Sequence, residues 1–366
     1  MTVYIFTIFS VVAIGLVAQI YNRRKVTTSV LDGNDVPFLE NKYFIFKPLI
    51  VFILIFVSGF RYYVGTDYGG YYKRVFQYEE LIESLKELNE PLYALITFAS
   101  RKIYDEGIFV IFVFSALTII LIYDGIKYVD QNDIALISFL YITTGCWLFS
   151  FNGVRQALAT SIIFAFANSK KKHSIINTII ICFIAFLVHK SAIVMIPILL
   201  LARRKFDFKQ IVLIIASGII VPFAFDFVFE LMGVNTESEL DMVYVNNEIN
   251  PIRVAVAFAP VLVMAIIENK KEFFNKYGFE CNMVSINALL MATTANSAYL
   301  NRVTQFTSLF IICYLPKALK ATSKNLRIII TLCAVVLYFV YWVYELRNAE
   351  GTLIPFAWSF SHFGEY

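Results

Sequence analysis

Residues 2–21, TVYIFTIFSVVAIGLVAQIY, form an apolar run without a single Lys, Arg, Asp or Glu. A helix needs about 20 mostly apolar residues to cross the hydrocarbon core of a bilayer. Arg23, Arg24 and Lys25 follow this run and no basic residue precedes it, which is the reverse of a secretory signal peptide. We therefore expect a retained membrane anchor whose N-terminus lies outside the cell.

Comparable apolar runs recur along the whole chain. Hydrophobic residues make up 59% of the 366 residues and charged residues only 16%, whereas soluble domains average about 45–50% and about 25%. The sequence therefore predicts an all-α, polytopic integral membrane protein with about 12 transmembrane helices. The predicted spans are 2–21, 43–60, 107–123, 134–150, 154–169, 174–188, 191–202, 210–231, 253–267, 282–300, 303–316 and 327–344. The net charge of +4 is too small and too scattered to indicate a nucleic-acid partner.

The distribution of basic residues predicts the orientation of these spans. Lys and Arg concentrate in alternate loops, as in Arg203-Arg204-Lys205, and such loops face the cytoplasm in membrane proteins. Both termini are then extracytoplasmic, as are two long loops at 61–106 and 232–252. We predict a surface helix between Tyr78 and Leu88 and a second helix at 91–104 lying on the membrane. No soluble domain or repeat is apparent, so residues 1–366 are interpreted as one transmembrane domain.

Several arginines lie at the predicted outer ends of spans, although Lys and Arg are usually enriched on the cytoplasmic side of a membrane protein. The guanidinium group is planar and suits phosphate oxygens, so a cavity lined by these arginines would suit a diphosphate. The alternative is that each side chain reaches the lipid headgroups and binds nothing specific. The arginines concerned are Arg61, Arg155, Arg253 and Arg302.

His189 interrupts an otherwise uniform apolar stretch and is followed by Lys190 and Ser191. An imidazole on the outer side could donate a hydrogen bond to a phosphate oxygen or accept a proton near neutral pH. The alternative is a purely structural histidine at a helix end. Asp226 lies within a predicted span, where an acidic group is a functional hypothesis by default, but no role is assigned to it.

The string Val64-Gly65-Thr66-Asp67-Tyr68-Gly69-Gly70-Tyr71-Tyr72 differs in composition from the rest of the chain. Its glycines permit tight turns with positive φ, and its tyrosines offer flat faces and hydroxyls to sugars. A carboxylate in this setting could be the general base that activates a sugar hydroxyl. The alternative is an aspartate that caps a turn through the nearby backbone. No Walker motif, GxGxxG, HExxH or nucleophile elbow is present.

Five strings occur in a characteristic order: SGFRYYVGTDYGGYY (58–72), NEPLY (89–93), FNGVRQALA (151–159), LVHKSAIVMIPILLL (187–201) and NRVTQFTSLFIICYLP (301–316). With them, residues 55–345 resemble the EpsG-like, Wzy-type family of bacterial polysaccharide polymerases. The resemblance implies a GT-C-type glycosyltransferase of the inner membrane whose active site faces the periplasm or exterior. Its substrates would be oligosaccharides linked to undecaprenyl diphosphate, which is a carrier and not a cofactor. It implies no metal. A chain-length regulator and a flippase of the same pathway are the implied protein partners.

The same resemblance and the residue chemistry together give candidate roles. Asp67, in the first outer loop, is the candidate general base. Arg155 and Arg302 are assigned to the diphosphate, with His189 assisting. Tyr68 and Tyr72 would line the path of the sugar. Further substrate-binding candidates are Arg61, Gln156, Lys190, Arg253 and Asn301.

Three other functions remain open from the sequence. An O-antigen ligase would use nearly the same donor chemistry. A flippase or other transporter would show paired broken helices in matching halves and polar groups near the midplane. We see no such pair of helices, and apart from Asp226 the charged residues lie near the ends of the predicted spans. A membrane O-acyltransferase would need a cytoplasmic acyl donor, whereas His189 and the aromatic loop are expected outside.

Overall fold

A computed structural model describes residues 1–31, 43–77, 85, 90–126, 133–169, 174–220 and 247–362. Within these ranges the regular elements are α-helices and short 3₁₀ helices, with two isolated backbone bridges and no strand. The all-α prediction is therefore confirmed for the described part of the chain. Apart from residue 85, the helix predicted at 78–88 lies outside the described residues, and so does Asp226.

The α-helices are numbered here in chain order. They are α1 (Thr2–Leu31), α2 (Tyr43–Gly59), α3 (Tyr68–Gln77), α4 (Pro91–Ile103), α5 (Gly107–Ile126), α6 (Ile134–Thr143), α7 (Cys146–Asn152), α8 (Val154–Ala167), α9 (Ile175–Val188), α10 (Met195–Ala202), α11 (Phe208–Ile220), α12 (Pro251–Val263), α13 (Lys270–Thr293), α14 (Ala298–Asn301), α15 (Gln305–Ser308), α16 (Ile311–Lys320) and α17 (Lys324–Asn348). The 3₁₀ helices are Lys190–Val194, Met264–Ile266, Arg302–Thr304 and Ser359–His362.

Internal contacts divide the chain into two compact units. The first unit comprises Met1–Asn89, Ala94–Lys170 and Trp342–Tyr366. The second comprises Glu90–Tyr93 and Lys171–Tyr341. The single transmembrane domain inferred from the sequence stays a prediction.

Helix α5 forms the centre of the first unit and packs against α2 and α8. It is apolar around its whole circumference, which is typical of a buried helix. Gly125 allows α5 to approach α8 closely, since a Cβ there would lie 2.9 Å from the ring of Phe164. The Tyr123 hydroxyl donates to Ser138 Oγ at 2.8 Å and ties α5 to α6. Close packing and one satisfied polar pair therefore hold this core together.

Several chain segments meet at one end of the first unit. The Tyr4 hydroxyl, at the start of α1, donates to the carbonyl of Leu353, after α17. The Thr66 amide, after α2, donates to Asn152, at the end of α7. The first residue of α5, Gly107, lies against the ring of Tyr72. Successive long helices of this unit therefore run in opposite directions, as alternating spans require, and the start of α1 and the segment after α17 share one end.

The second unit begins with a hairpin of α9 and α10. Arg203, after α10, donates to the carbonyl of Ser174 at 3.4 Å and to Thr178 Oγ1, both at the start of α9. The turn at His189 therefore lies at the opposite end of the hairpin. Ser174 caps α9 by accepting the Asn177 amide at 3.1 Å, which accounts for the start of this helix.

Helix α13 connects the two ends of the second unit and is kinked at Tyr277. Asn282 donates to the carbonyls of Ala202 and Arg204, at 2.8 Å each, so this part of α13 lies beside the end of α10. At its far end, the Ala295 carbonyl accepts the amide of Ile249, just before α12. The start of α12 and the residues after α13 therefore lie at the same end of the unit as His189.

Three of the described helices are long and apolar enough to cross a membrane: Thr2–Tyr21 of α1, α5 and α17. Helices α6 and α7 qualify together as a span bent by 44°, and Gly145 at the break has a φ of 86°. Six shorter apolar helices cover other predicted spans. The apolar helices agree with a membrane protein. The total of about twelve spans stays a prediction. The span at 210–231 is described only to Ile220.

The predicted spans at 282–300 and 303–316 differ from the observed helices. Helix α13 starts at Lys270, and the chain from 298 to 320 forms short helical pieces instead of one long helix. Hydroxyls in these pieces bond to carbonyls three residues back, as Thr304 does to Asn301 and Thr307 to Thr304. Such side-chain bonds compete with the regular helical pattern, which the hydropathy of the segment does not reveal.

Candidate active site

Arg61 lies at the centre of the described loop after α2 and is completely buried. Its Nε donates to the Val64 carbonyl at 3.1 Å, and its Nη2 donates to the Phe151 carbonyl at 3.2 Å. Its Nη1 donates to Ser115 Oγ at 3.2 Å and to the Ser58 carbonyl. Burial lowers the pKa of the guanidinium to about 10, which leaves it protonated at neutral pH.

These contacts show that Arg61 links the loop to the surrounding helices. A guanidinium has five N–H donors, and the four hydrogen bonds of Arg61 all go to neutral oxygens of α2, α5, α7 and its own loop. The group also lies 4.7 Å from the ring centroid of Phe151. The diphosphate-binding role for Arg61 stays a prediction, and its contacts favour support of the loop.

The segment after α17 is fastened to the same loop. The amide of Tyr62 donates to the Ala357 carbonyl at 2.9 Å, and the Ser359 amide donates to the Phe60 carbonyl at 2.8 Å. Between them, Arg61 and Trp358 form an isolated antiparallel bridge. This attachment was not inferred from the sequence, although the aromatic-rich string FAWSFSHF (356–363) signals a packed segment.

Gly65 fixes the course of the loop, as its positive φ of 112° shows. A Cβ at this position would lie 2.7 Å from the Phe151 carbonyl oxygen, so only glycine fits. The prediction for Gly69 and Gly70 was wrong: both lie in the first turn of α3. The second residue of the loop with positive φ is Tyr63, at 49°, a conformation that is uncommon for a bulky side chain.

Asp67 is half-buried and directly precedes α3. Its backbone carbonyl accepts the Tyr71 amide at 3.0 Å, and its carboxylate accepts the Thr66 hydroxyl at 3.1 Å. Among the described residues no backbone N–H donates to this carboxylate, so the capping alternative is not observed.

Arg155 lies in the first turn of α8, half-buried, with its guanidinium 5.7 Å from the ring centroid of Tyr71. Asn152, three residues earlier, accepts the Thr66 amide at 2.9 Å. The structure thus brings Asp67, Tyr71, Asn152 and Arg155 to one end of the first unit, and we call these four residues the first cluster. Gln156, beside Arg155, is buried.

Tyr68 and Tyr72 are buried, in contrast to what a sugar path would require. Their rings are stacked, with centroids 6.2 Å apart, and pack with Ile108 and Ile111. Burial raises the pKa of the Tyr68 hydroxyl, and nearby Arg61 opposes that shift. The accessible rings here are those of Tyr63, 49% exposed, and of half-exposed Tyr71. The sugar-lining role of Tyr68 and Tyr72 stays a prediction.

His189, in the second unit, contacts a carboxylate that the sequence analysis did not select. Its Nδ1 lies 2.9 Å from Glu90 Oε1, which also accepts the Lys190 amide at 3.2 Å. Glu90 belongs to the string NEPLY and directly precedes Pro91. We call Glu90, His189 and Lys190 the second cluster. The sequence contained one signal for Glu90: it is an acidic residue directly before a proline, and proline often starts a helix.

The remaining candidates lie at the same end of the second unit as His189. Arg302 is exposed, and its guanidinium lies 5.4 Å from the Tyr299 ring centroid. Arg253 is half-exposed in the first turn of α12. Asn301 is buried and donates to Thr294 Oγ1 at 2.9 Å, a contact that supports the turn. Arg155 belongs to the first unit, and a single cavity lined by all the outer arginines stays a prediction.

The model of the EpsG family matches residues 44–358. The chain belongs to the EpsG family. This is a family of Wzy-like polymerases of exopolysaccharide or related pathways. No curated protein and no solved structure matched the chain. The EpsG match includes both clusters, Arg302 and Trp358, so the loop and the segment fastened to it belong to the family region.

Proposed function

We propose that this EpsG-family protein polymerises oligosaccharide repeat units carried on undecaprenyl diphosphate. The observation that carries the proposal is the first cluster, in which the Asp67 carboxylate and the Arg155 guanidinium share one end of the first unit. Polymerisation from such a donor requires a base for a sugar hydroxyl and a cation for a diphosphate. The cluster offers one of each.

The proposed reaction is a displacement at the anomeric carbon of the donor glycan. The hydroxyl oxygen of the acceptor's terminal sugar attacks this carbon, and the bond from the carbon to the diphosphate oxygen breaks. Asp67 accepts the hydroxyl proton, and undecaprenyl diphosphate leaves as an anion. General-base assistance of this kind contributes roughly 10²–10⁴ in rate.

The leaving diphosphate gains negative charge, so cations that are already in position favour its departure. We assign Arg155 and Arg302 to its oxygens, with His189 as a further donor. Lys190 and Arg253 are additional basic candidates. This set of positive groups supports a reaction that proceeds without a metal ion, as the family resemblance implies.

The architecture we propose is that of a GT-C-type glycosyltransferase with about twelve spans in a bacterial inner membrane. Both termini and the two clusters would face the extracytoplasmic side, where lipid-linked repeat units are polymerised. In the first unit, the shared position of Tyr4, Leu353 and the Asp67 loop supports this arrangement of the termini.

A reconstituted assay tests the proposal. Purified protein in detergent would be mixed with the undecaprenyl-diphosphate-linked repeat unit of its own strain, without nucleotide sugar. We expect a ladder of products spaced by one repeat unit. Transfer of glycan only to a lipid A core acceptor would indicate a ligase instead. Translocation of the same lipid in proteoliposomes, without a ladder, would replace the polymerase by a transporter.

A further inference from the structure

Glu90 and His189 form a buried contact. The proposed reaction gives a role to His189 but none to Glu90. The Glu90 side chain is 4% exposed and that of His189 is 24% exposed. The residues are 99 positions apart in the sequence, so the fold, and not local structure, brings them together. Burying a carboxylate destabilises a fold unless hydrogen bonds satisfy its oxygens. The contact with His189 supplies one of these bonds.

The chain holds the carboxylate in place from two sides. Glu90 directly precedes Pro91, the first residue of α4, and proline is well suited to that position. Its Oε1 accepts the backbone amide of Lys190 in addition to the imidazole. The backbone bond fixes the oxygen relative to the turn that carries His189. The Nδ1 atom of the imidazole therefore bonds to an oxygen whose position the backbone of the same turn also restrains.

The contact also determines which nitrogen of His189 remains for a ligand. A carboxylate only accepts, so Nδ1 carries the hydrogen in the contact. Nε2 makes no hydrogen bond with any residue that the structure describes, and the side chain is partly exposed. When the ring is charged, Nε2 carries the second hydrogen and can donate it to an anionic oxygen.

We propose that Glu90 is a positioning residue, whose carboxylate holds charged His189 by Nδ1–H so that Nε2–H donates to a diphosphate oxygen of the lipid-linked donor. This inference rests on the proposed function, because it names the same substrate. No proton is transferred in this role. The imidazolium supplies a hydrogen bond to the diphosphate as the bond to the anomeric carbon breaks.

Glu90 is the carboxylate in direct contact with His189, and the backbone amide of Lys190 donates to the same oxygen. Two other ionisable groups of the hairpin are occupied elsewhere. Cys182 is buried within α9, and Arg203 lies at the opposite end, bonded to Thr178.

The first test compares initial polymerisation rates of the wild type, Glu90→Gln, His189→Ala and the double variant. We expect Glu90→Gln to lower kcat by roughly tenfold to a hundredfold, with a smaller change in KM. The double variant should be no slower than His189→Ala alone, because Glu90 acts through His189. Glu272→Gln, which alters an exposed glutamate in the first turn of α13, is the matched control.

Rescue by a conservative variant separates positioning from mere support of the fold. Glu90→Asp keeps a carboxylate that can accept the Nδ1 hydrogen of His189, so it should recover part of the kcat that Glu90→Gln loses. Effects of Glu90→Gln and His189→Ala that multiply, or a Glu90→Asp variant no faster than Glu90→Gln, would overturn the role of Glu90.

A measurement on the wild-type protein covers the case in which Glu90→Gln does not fold. Undecaprenyl diphosphate should slow the modification of His189 by diethyl pyrocarbonate, as followed by mass spectrometry. Unchanged modification at saturating lipid would contradict the proposed contact. A wild type that forms no ladder would overturn the proposed function itself, whereas a ladder with a fully active Glu90→Gln would overturn this inference alone.

Discussion

Arg61 and Trp358 form an antiparallel backbone bridge that joins the loop after α2 to the segment after α17. The ring of Trp358 lies 5.5 Å, between centroids, from that of Phe56 in α2. The loop that presents Asp67 is therefore held by residues almost 300 positions away.

Trp358→Ala should loosen the Asp67 loop without preventing membrane insertion. The variant loses ring contacts of a half-buried side chain, which we expect to cost about 1–3 kcal/mol of local stability. Hydrogen exchange at the amides of Tyr62 and Gly65 should become faster, and polymer yield should fall. Exchange at the wild-type rate in this variant would mean that the segment does not hold the loop.

Asp67→Asn should leave the protein folded and inserted while lowering polymer formation by at least about 10²-fold, since an amide cannot accept the hydroxyl proton. The reconstituted ladder assay measures this. Asp105→Asn is the matched control, because Asp105 is an exposed acid of the first unit that pairs with Arg101. Near-normal polymer from Asp67→Asn would remove this residue as the base.

Arg155→Ala should weaken binding of the lipid-linked donor and lower the rate by roughly 10²–10³-fold. Arg155→Lys should recover only part of the loss, because an ammonium lacks the planar fork. Donor affinity and initial rates would be compared with Arg347→Ala, an exposed arginine at the end of α17. Unchanged donor binding in Arg155→Ala would assign this side chain to the lipid headgroups.

EDTA should not inhibit the purified enzyme, because arginine and histidine side chains supply the positive charge in the proposed reaction. The measurement is the ladder assay after metal removal, with and without added Mg²⁺. Strong inhibition that Mg²⁺ reverses would contradict the metal-free reaction.

The sequence predicted those features that depend on neighbouring residues. Apolar run length located α1, α5 and α9 to within a few residues, apart from the extension of α1 to Leu31, because hydropathy is a local property. The positive φ of Gly65 was expected for the same reason. The prediction failed for Gly69 and Gly70, where the start of α3 takes precedence over glycine's preference for turns.

The features that the sequence did not predict are contacts between distant residues. Glu90 is 99 positions from His189, and nothing in the string NEPLY specifies its partner. In the sequence, Arg61 and Arg155 both lie at the end of a predicted span. In the structure, Arg61 is fully buried and donates to backbone carbonyls. Arg155 is half-buried beside the ring of Tyr71. Burial is decided by tertiary packing, so residue type and span position could not separate a supporting arginine from a candidate ligand.

Two glycines of the same loop region allow a matched test of loop geometry. Gly65→Ala should destabilise the loop by about 1–3 kcal/mol, because φ is 112° and the new Cβ would lie 2.7 Å from the Phe151 carbonyl oxygen. Gly70→Ala should be neutral or stabilising by up to about 1 kcal/mol, since Gly70 is helical and no atom lies within 4 Å of its Cβ position. The readouts are thermal stability and polymer yield for both variants. If Gly65→Ala retained full stability and activity, the position of the Asp67 carboxylate would not depend on this backbone geometry.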